Sequence, residues 1–128
     1  MYNSNTFIFL FLFLGLCRVS SNNEGTGFFI FVGDSTNAEL IVKGENTFNS
    51  NGGAGIEYFL NSNANLEINV ESDATLTTCE NVVADIYGVV PASSTATFLG
   101  IGYTCDPNKV VFYVDGTVVE PVCQDCPP

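Results

Sequence analysis

Four cysteines carry the most specific chemistry in this sequence: Cys79, Cys105 and a Cys123-x-x-Cys126 pair two residues from the end. A redox-active Cys-x-x-Cys needs its first thiol at a helix N-terminus, where backbone dipoles stabilise the thiolate. Here Cys123 follows a β-rich run and Cys126 is followed by Pro127-Pro128, so no helix starts there. Structural zinc sites are usually built from two close ligand pairs. This chain offers one such pair and has no histidine to complete a mixed set. The fifth cysteine, Cys17, lies in the apolar leader expected to be cleaved, and the even number of thiols left in an oxidising compartment forms disulfides. Four cysteines allow three pairings. A Cys123–Cys126 bridge would close a loop too small to restrain the unfolded chain, so each tail cysteine is expected to reach back to Cys79 or Cys105.

Carboxylates are the remaining acid–base resource. Without histidine, Ser-His-Asp and Cys-His arrangements cannot form. Glu71 and Asp73 stand two apart, with Glu57, Glu67 and Asp85 as possible neighbours. A retaining glycosidase needs two such groups about 5 Å apart in a cleft; solvated strand faces are the simpler expectation. Asp34, Glu71 and Asp73, with the Asn61-x-Asn63-x-Asn65 series, offer hard oxygen ligands suited to calcium, although none matches an EF-hand loop. Tyr58, Tyr87, Tyr103 and Tyr113 could stack on sugar rings if they share an outward face; otherwise they fill a core with the hydroxyl at its rim.

The elements that position these residues are short and β-rich. Strands are expected at 27–32, 38–43, 56–60, 65–71, 74–79, 82–90, 95–103, 109–114 and 117–122. Asn65–Glu71 is the clearest, with Leu66, Ile68 and Val70 alternating with Glu67, Asn69 and Glu71, the period of a half-buried strand. Turn compositions separate the runs, and Asp115-Gly116 between two of them is a strong hairpin signal. No internal repeat stands out, and 44–55 reads as the longest irregular, mobile loop. About nine short strands at such spacing predict a small antiparallel β-sandwich.

The first 21 residues read as a signal peptide ahead of a single domain, 22–128. Phe7–Leu16 is an unbroken apolar run of ten, too short to span a bilayer as a helix and the length of a secretory h-region. Val19-Ser20-Ser21 suits cleavage after Ser21, although no Lys or Arg precedes the run. Cleavage leaves Lys43 and Lys109 against 14 acidic residues, a charge of −12. Such a surface repels nucleic acid and anionic lipid and favours solubility. None of the 14 asparagines is followed two positions later by Ser or Thr, so no N-glycosylation acceptor is present.

The run Phe112–Gly116, FYVDG, resembles the aromatic-x-Val-Asp-Gly hairpin of concanavalin-like β-sandwiches, including laminin-G-type modules and β-glucanases. Those glucanases carry a third carboxylate after Glu-x-Asp. Here Thr75 and Leu76 stand at those positions, and no residue is carried over. The sequence therefore predicts a secreted, acidic, non-catalytic binding or structural module without a cofactor. Its expected partner is a protein or a glycan, with calcium possible. A lectin-like domain is the alternative, and a carboxylate-dependent hydrolase the least favoured.

Overall fold

A computed structural model describes residues 24–128 in full and, ahead of them, the backbone of two strands. The expected leader, residues 1–21, and its cleavage site lie outside the fully described residues. The strands are β1 (Thr6–Leu12), β2 (Cys17–Val19), β3 (Phe28–Val32), β4 (Thr36–Val42), β5 (Glu45–Thr47), β6 (Ala54–Leu60) and β7 (Asn65–Val70). They continue as β8 (Thr75–Thr78), β9 (Ala84–Val90), β10 (Thr95–Leu99), β11 (Tyr103–Cys105), β12 (Val110–Val114), β13 (Thr117–Val119) and β14 (Cys123–Gln124).

Every strand pairing is parallel. The chain winds as a β-solenoid of about three turns, and the expected antiparallel sandwich is overturned. One face is β3-β6-β9-β12, the second β1-β4-β7-β10-β13, the third β2-β5-β8-β11-β14. Alternation of apolar and polar residues has the same period in both architectures; the corners separate them. In the solenoid each corner redirects the chain onto the next face instead of reversing it. At three of them Thr36, Ala64 and Ser94 donate their N–H to Gly33, Asn61 and Pro91, and each of these three small residues is buried.

Three further expectations change with the fold. Asp115-Gly116 is not a hairpin: it carries the chain from β12 to β13 on different faces, and both N–H groups donate to the Val90 carbonyl. The stretch 44–55 is not a free loop, because it contains β5 and buries Asn46, Phe48 and Asn51. A repeat does exist: Asn37, Asn65 and Thr95 stand one above another, 28 and 30 residues apart.

Inward side chains stack in columns along the axis. On the first face Ile30, Tyr58, Gly88 and Phe112 form one column. A Cβ on Gly88 would strike the Tyr58 ring. That ring instead tilts across the space toward Phe112, 6.2 Å between centroids, and Phe98, 5.7 Å.

Polar groups close the corner before β9. Asn51 and Asn81 are fully buried one rung apart. Asn81 Oδ1 accepts from the Asn51 main-chain N–H at 2.9 Å and from its Nδ2 at 3.0 Å. Asn81 Nδ2 donates to Phe48 O, Thr78 Oγ1 and Asp85 Oδ1 at 3.0–3.1 Å. The buried Asp85 carboxylate also accepts from the Asp106 N–H at 2.9 Å, and Lys109 Nζ donates to Asn81 O at 2.6 Å. These bonds satisfy groups that would otherwise be costly to bury.

Candidate functional site

The residues that alternate with the core columns of the first face point outward and are mostly aromatic. Across β3, β6, β9 and β12 they form two rows: Phe29, Glu57, Tyr87, Val111, and Phe31, Phe59, Val89, Tyr113. Neighbouring strands lie about 4.8 Å apart and the two rows about 6.6 Å apart along each strand, close enough for rings to touch diagonally. Phe29 lies 5.7 Å from Phe59, Phe59 6.4 Å from Tyr87, and Tyr87 5.7 Å from Tyr113, centroid to centroid. The result is one continuous zigzag of rings across four strands. Phe29, Phe31 and Tyr113 are 54%, 60% and 64% exposed, far more than rings of this size in a closed core.

The only charged side chain in the two rows, Glu57, accepts a hydrogen bond from Thr26 Oγ1 at 3.1 Å. The Tyr87 phenol is pushed above its usual value, first by desolvation among its neighbours and then by the nearby Tyr113 and Glu57. A phenol is already neutral near pH 7, and this shift keeps the Tyr87 hydroxyl protonated to higher pH.

Of the four tyrosines singled out from sequence, Tyr87 and Tyr113 share this face. Tyr58 and Tyr103 are core residues instead. Burial raises both phenols; Glu120 adds to the effect at Tyr58, and a hydrogen bond with the Val70 backbone opposes it at Tyr103. Tyr103 donates to Leu99 O at 2.6 Å, whereas the Tyr58 hydroxyl has no hydrogen-bond partner among the described residues.

The carboxylate and calcium candidates are scattered. Asp34 lies in the corner between β3 and β4, whereas Glu71 and Asp73 lie in the corner between β7 and β8. Glu71 faces Lys43 at 3.6 Å. Glu57 points out from the first face and Glu67 belongs to the second, beside Glu39, while Asp85 is buried. No cluster of three or more Cys, Asp or Glu is placed to hold a metal ion among the described residues.

The cysteines pair as Cys79–Cys126 and Cys105–Cys123. Each tail cysteine reaches back, and β14 is held against β11. The Cys-x-x-Cys closes the end of the solenoid. Phe29, Phe31 and Phe59 went unremarked in the sequence as surface residues. The signal was their parity: each alternates with a core position of the same strand.

Comparison with known protein families, with curated proteins and with solved structures finds no match. The fold itself defines the class: a disulfide-closed, all-β parallel solenoid. Among the described residues, no helix is long and apolar enough to cross a membrane.

Proposed function

We propose that this is a secreted, non-catalytic binding module that docks a partner protein on its aromatic face. One observation carries the reading: the row of exposed and half-buried rings from Phe29 to Tyr113 on the outer side of a single sheet. A contiguous exposed apolar patch is the usual mark of an interaction surface, and Tyr and Phe are enriched where partners meet. Neighbouring rings are inclined to one another by 39° to 65°. Such a corrugated surface suits interdigitating side chains better than the flat face of an extended glycan. Secretion is supported by the apolar run Phe7–Leu16 and is compatible with the two disulfides.

A lectin-like activity is the second reading, favoured by the placing of Tyr87 and Tyr113 side by side. The test is a Phe31→Ser/Tyr113→Ser variant, compared with the parent chain in cross-linking within its native secretion medium. The partner is expected to be lost while the melting temperature stays within a few degrees. An unchanged partner set refutes the docking face. A glycan array that lights up with the parent and darkens with Tyr113→Ala would transfer the function to sugars.

A further inference from the structure

Glu57 is set among the rings of the first face, and no lysine or arginine pairs with it among the described residues. Register places Phe29 on one side of it and Tyr87 on the other, each one strand spacing of about 4.8 Å away. Phe59 stands two residues along the same strand and therefore on the same side of the sheet. The Phe29 and Phe59 centroids lie 5.7 Å apart with planes inclined at 39°. Those of Phe59 and Tyr87 lie 6.4 Å apart, inclined at 53°. Three rings thus border one half-buried carboxylate.

Thr26 Oγ1 donates to Glu57 Oε2 at 3.1 Å, and Oε1 has no protein partner among the described residues. The basic residues of 24–128 are Lys43 and Lys109, and both are engaged elsewhere. Lys43 faces Glu71 at 3.6 Å, and Lys109 donates to the Asn81 carbonyl at 2.6 Å. The raised Tyr87 phenol is a second sign of this uncompensated charge, because the nearby Glu57 contributes to it. A partner that covers the face must therefore bring a cation to Glu57 or leave a dehydrated charge unpaired, which is costly.

We infer that the partner docks by placing an arginine side chain among these rings, its guanidinium stacked on a ring face and paired with Glu57. The inference rests on the docking reading above and deepens it by naming the partner's anchor. Ring faces attract cations through their quadrupole. A guanidinium is planar and weakly hydrated, so it can lie on a ring while two of its N–H groups meet a carboxylate side by side. A lysine ammonium is a compact, strongly hydrated point charge and uses the rings less well. A calcium ion needs about six to eight oxygen ligands, and Glu57 is the only carboxylate in the two rows. The 14 acidic residues of the chain would also speed the approach of a basic partner.

The experiment titrates the full chain with N-acetylarginine amide and follows the ring resonances by NMR. Arginine is expected to shift Phe29, Phe59 and Tyr87. N-acetylcitrulline amide, similar in shape but uncharged, should bind roughly tenfold more weakly or worse. Glu57→Gln should weaken arginine roughly tenfold and leave the melting temperature unchanged, since glutamine keeps an acceptor for Thr26. N-acetyllysine amide and choline should both bind more weakly than arginine. No ring shift, equal binding of citrulline, or indifference to Glu57→Gln overturns the arginine anchor. Tighter binding of choline assigns the rings to a free quaternary ammonium and overturns it as well. If arginine fails while the Phe31→Ser/Tyr113→Ser variant still loses its partner, the docking face stands and only the anchor is wrong. If that variant also keeps its partner, both readings fall.

Discussion

Replacing Asn81 by alanine tests whether the polar cluster beneath the corner holds the solenoid together. The substitution removes five hydrogen bonds made by one side chain: two accepted from Asn51 and three donated to Phe48, Thr78 and Asp85. Some losses are softened. The Phe48 carbonyl keeps a bond from Thr78 Oγ1, and Asp85 keeps the main-chain N–H groups of Asn81 and Asp106. The Asn51 main-chain N–H and side-chain amide lose the Asn81 Oδ1 that accepts from both, and the carboxylate loses one of its donors. A buried group left short of a partner costs about 1–3 kcal/mol, so the deficits at Asn51 and Asp85, with the space left behind, predict a loss of about 3–5 kcal/mol. That is a large share of the 5–15 kcal/mol typical of a whole domain. Urea unfolding followed by circular dichroism should show a lower midpoint with an unchanged slope. A loss under about 1 kcal/mol would refute the claim that these bonds are dry. Asn81→Asp sharpens the test by placing a second carboxylate beside Asp85. Two such groups resist ionising together, so the deficit of this variant should shrink as pH falls from 7 toward 4.

Three other outcomes are expected. Serine at both Cys79 and Cys126, which lie 47 residues apart, should cost about 4 kcal/mol by loop-closure entropy. The same change at Cys105 and Cys123, 18 apart, should cost about 3 kcal/mol; a smaller loss for the longer loop would mean that bridge holds only the tail. Tyr58→Phe deletes a buried hydroxyl without a partner among the described residues and should raise stability by about 1 kcal/mol in the same urea assay; destabilisation would show that the hydroxyl is satisfied. Burial raises the Tyr58 and Tyr103 phenols, so their contribution is complete below the unfolded phenol value of about 10 and is lost as pH climbs past it. Their phenolate absorbance should therefore appear together with unfolding, and its appearance with circular dichroism unchanged would refute their burial.

The strands were legible because alternation is a local property. Asn65–Val70 shows its buried side as plainly in sequence as in space, and the runs expected around β3, β6, β9 and β12 fall where strands form. The expected strand 95–103 divides into β10 and the start of β11, because Gly100-Ile101-Gly102 forms a corner. The solenoid's repeat was present but diluted. Asn61-Ser-Asn-Ala64-Asn-Leu66 and Glu71-Ser-Asp-Ala74-Thr-Leu76 share a turn ending in a buried alanine, and Pro91-Ala-Ser-Ser94-Thr-Ala96 repeats its shape with little of its identity. A column tolerates any residue of suitable volume, so geometry repeats while letters drift.

The linear order of residues by itself determined that this chain is β-rich, acidic, without histidine and fastened by its last two cysteines. Each of those follows from composition, parity or covalent count, which need no neighbours in space. Only the tertiary structure decided that the strands run parallel, that Tyr58 and Tyr103 are core while Tyr87 and Tyr113 join three phenylalanines outside, and that Asp85 lies inside a polar cluster. A strand's alternation leaves open which side faces the core and which strand lies alongside; the corner angles settle both.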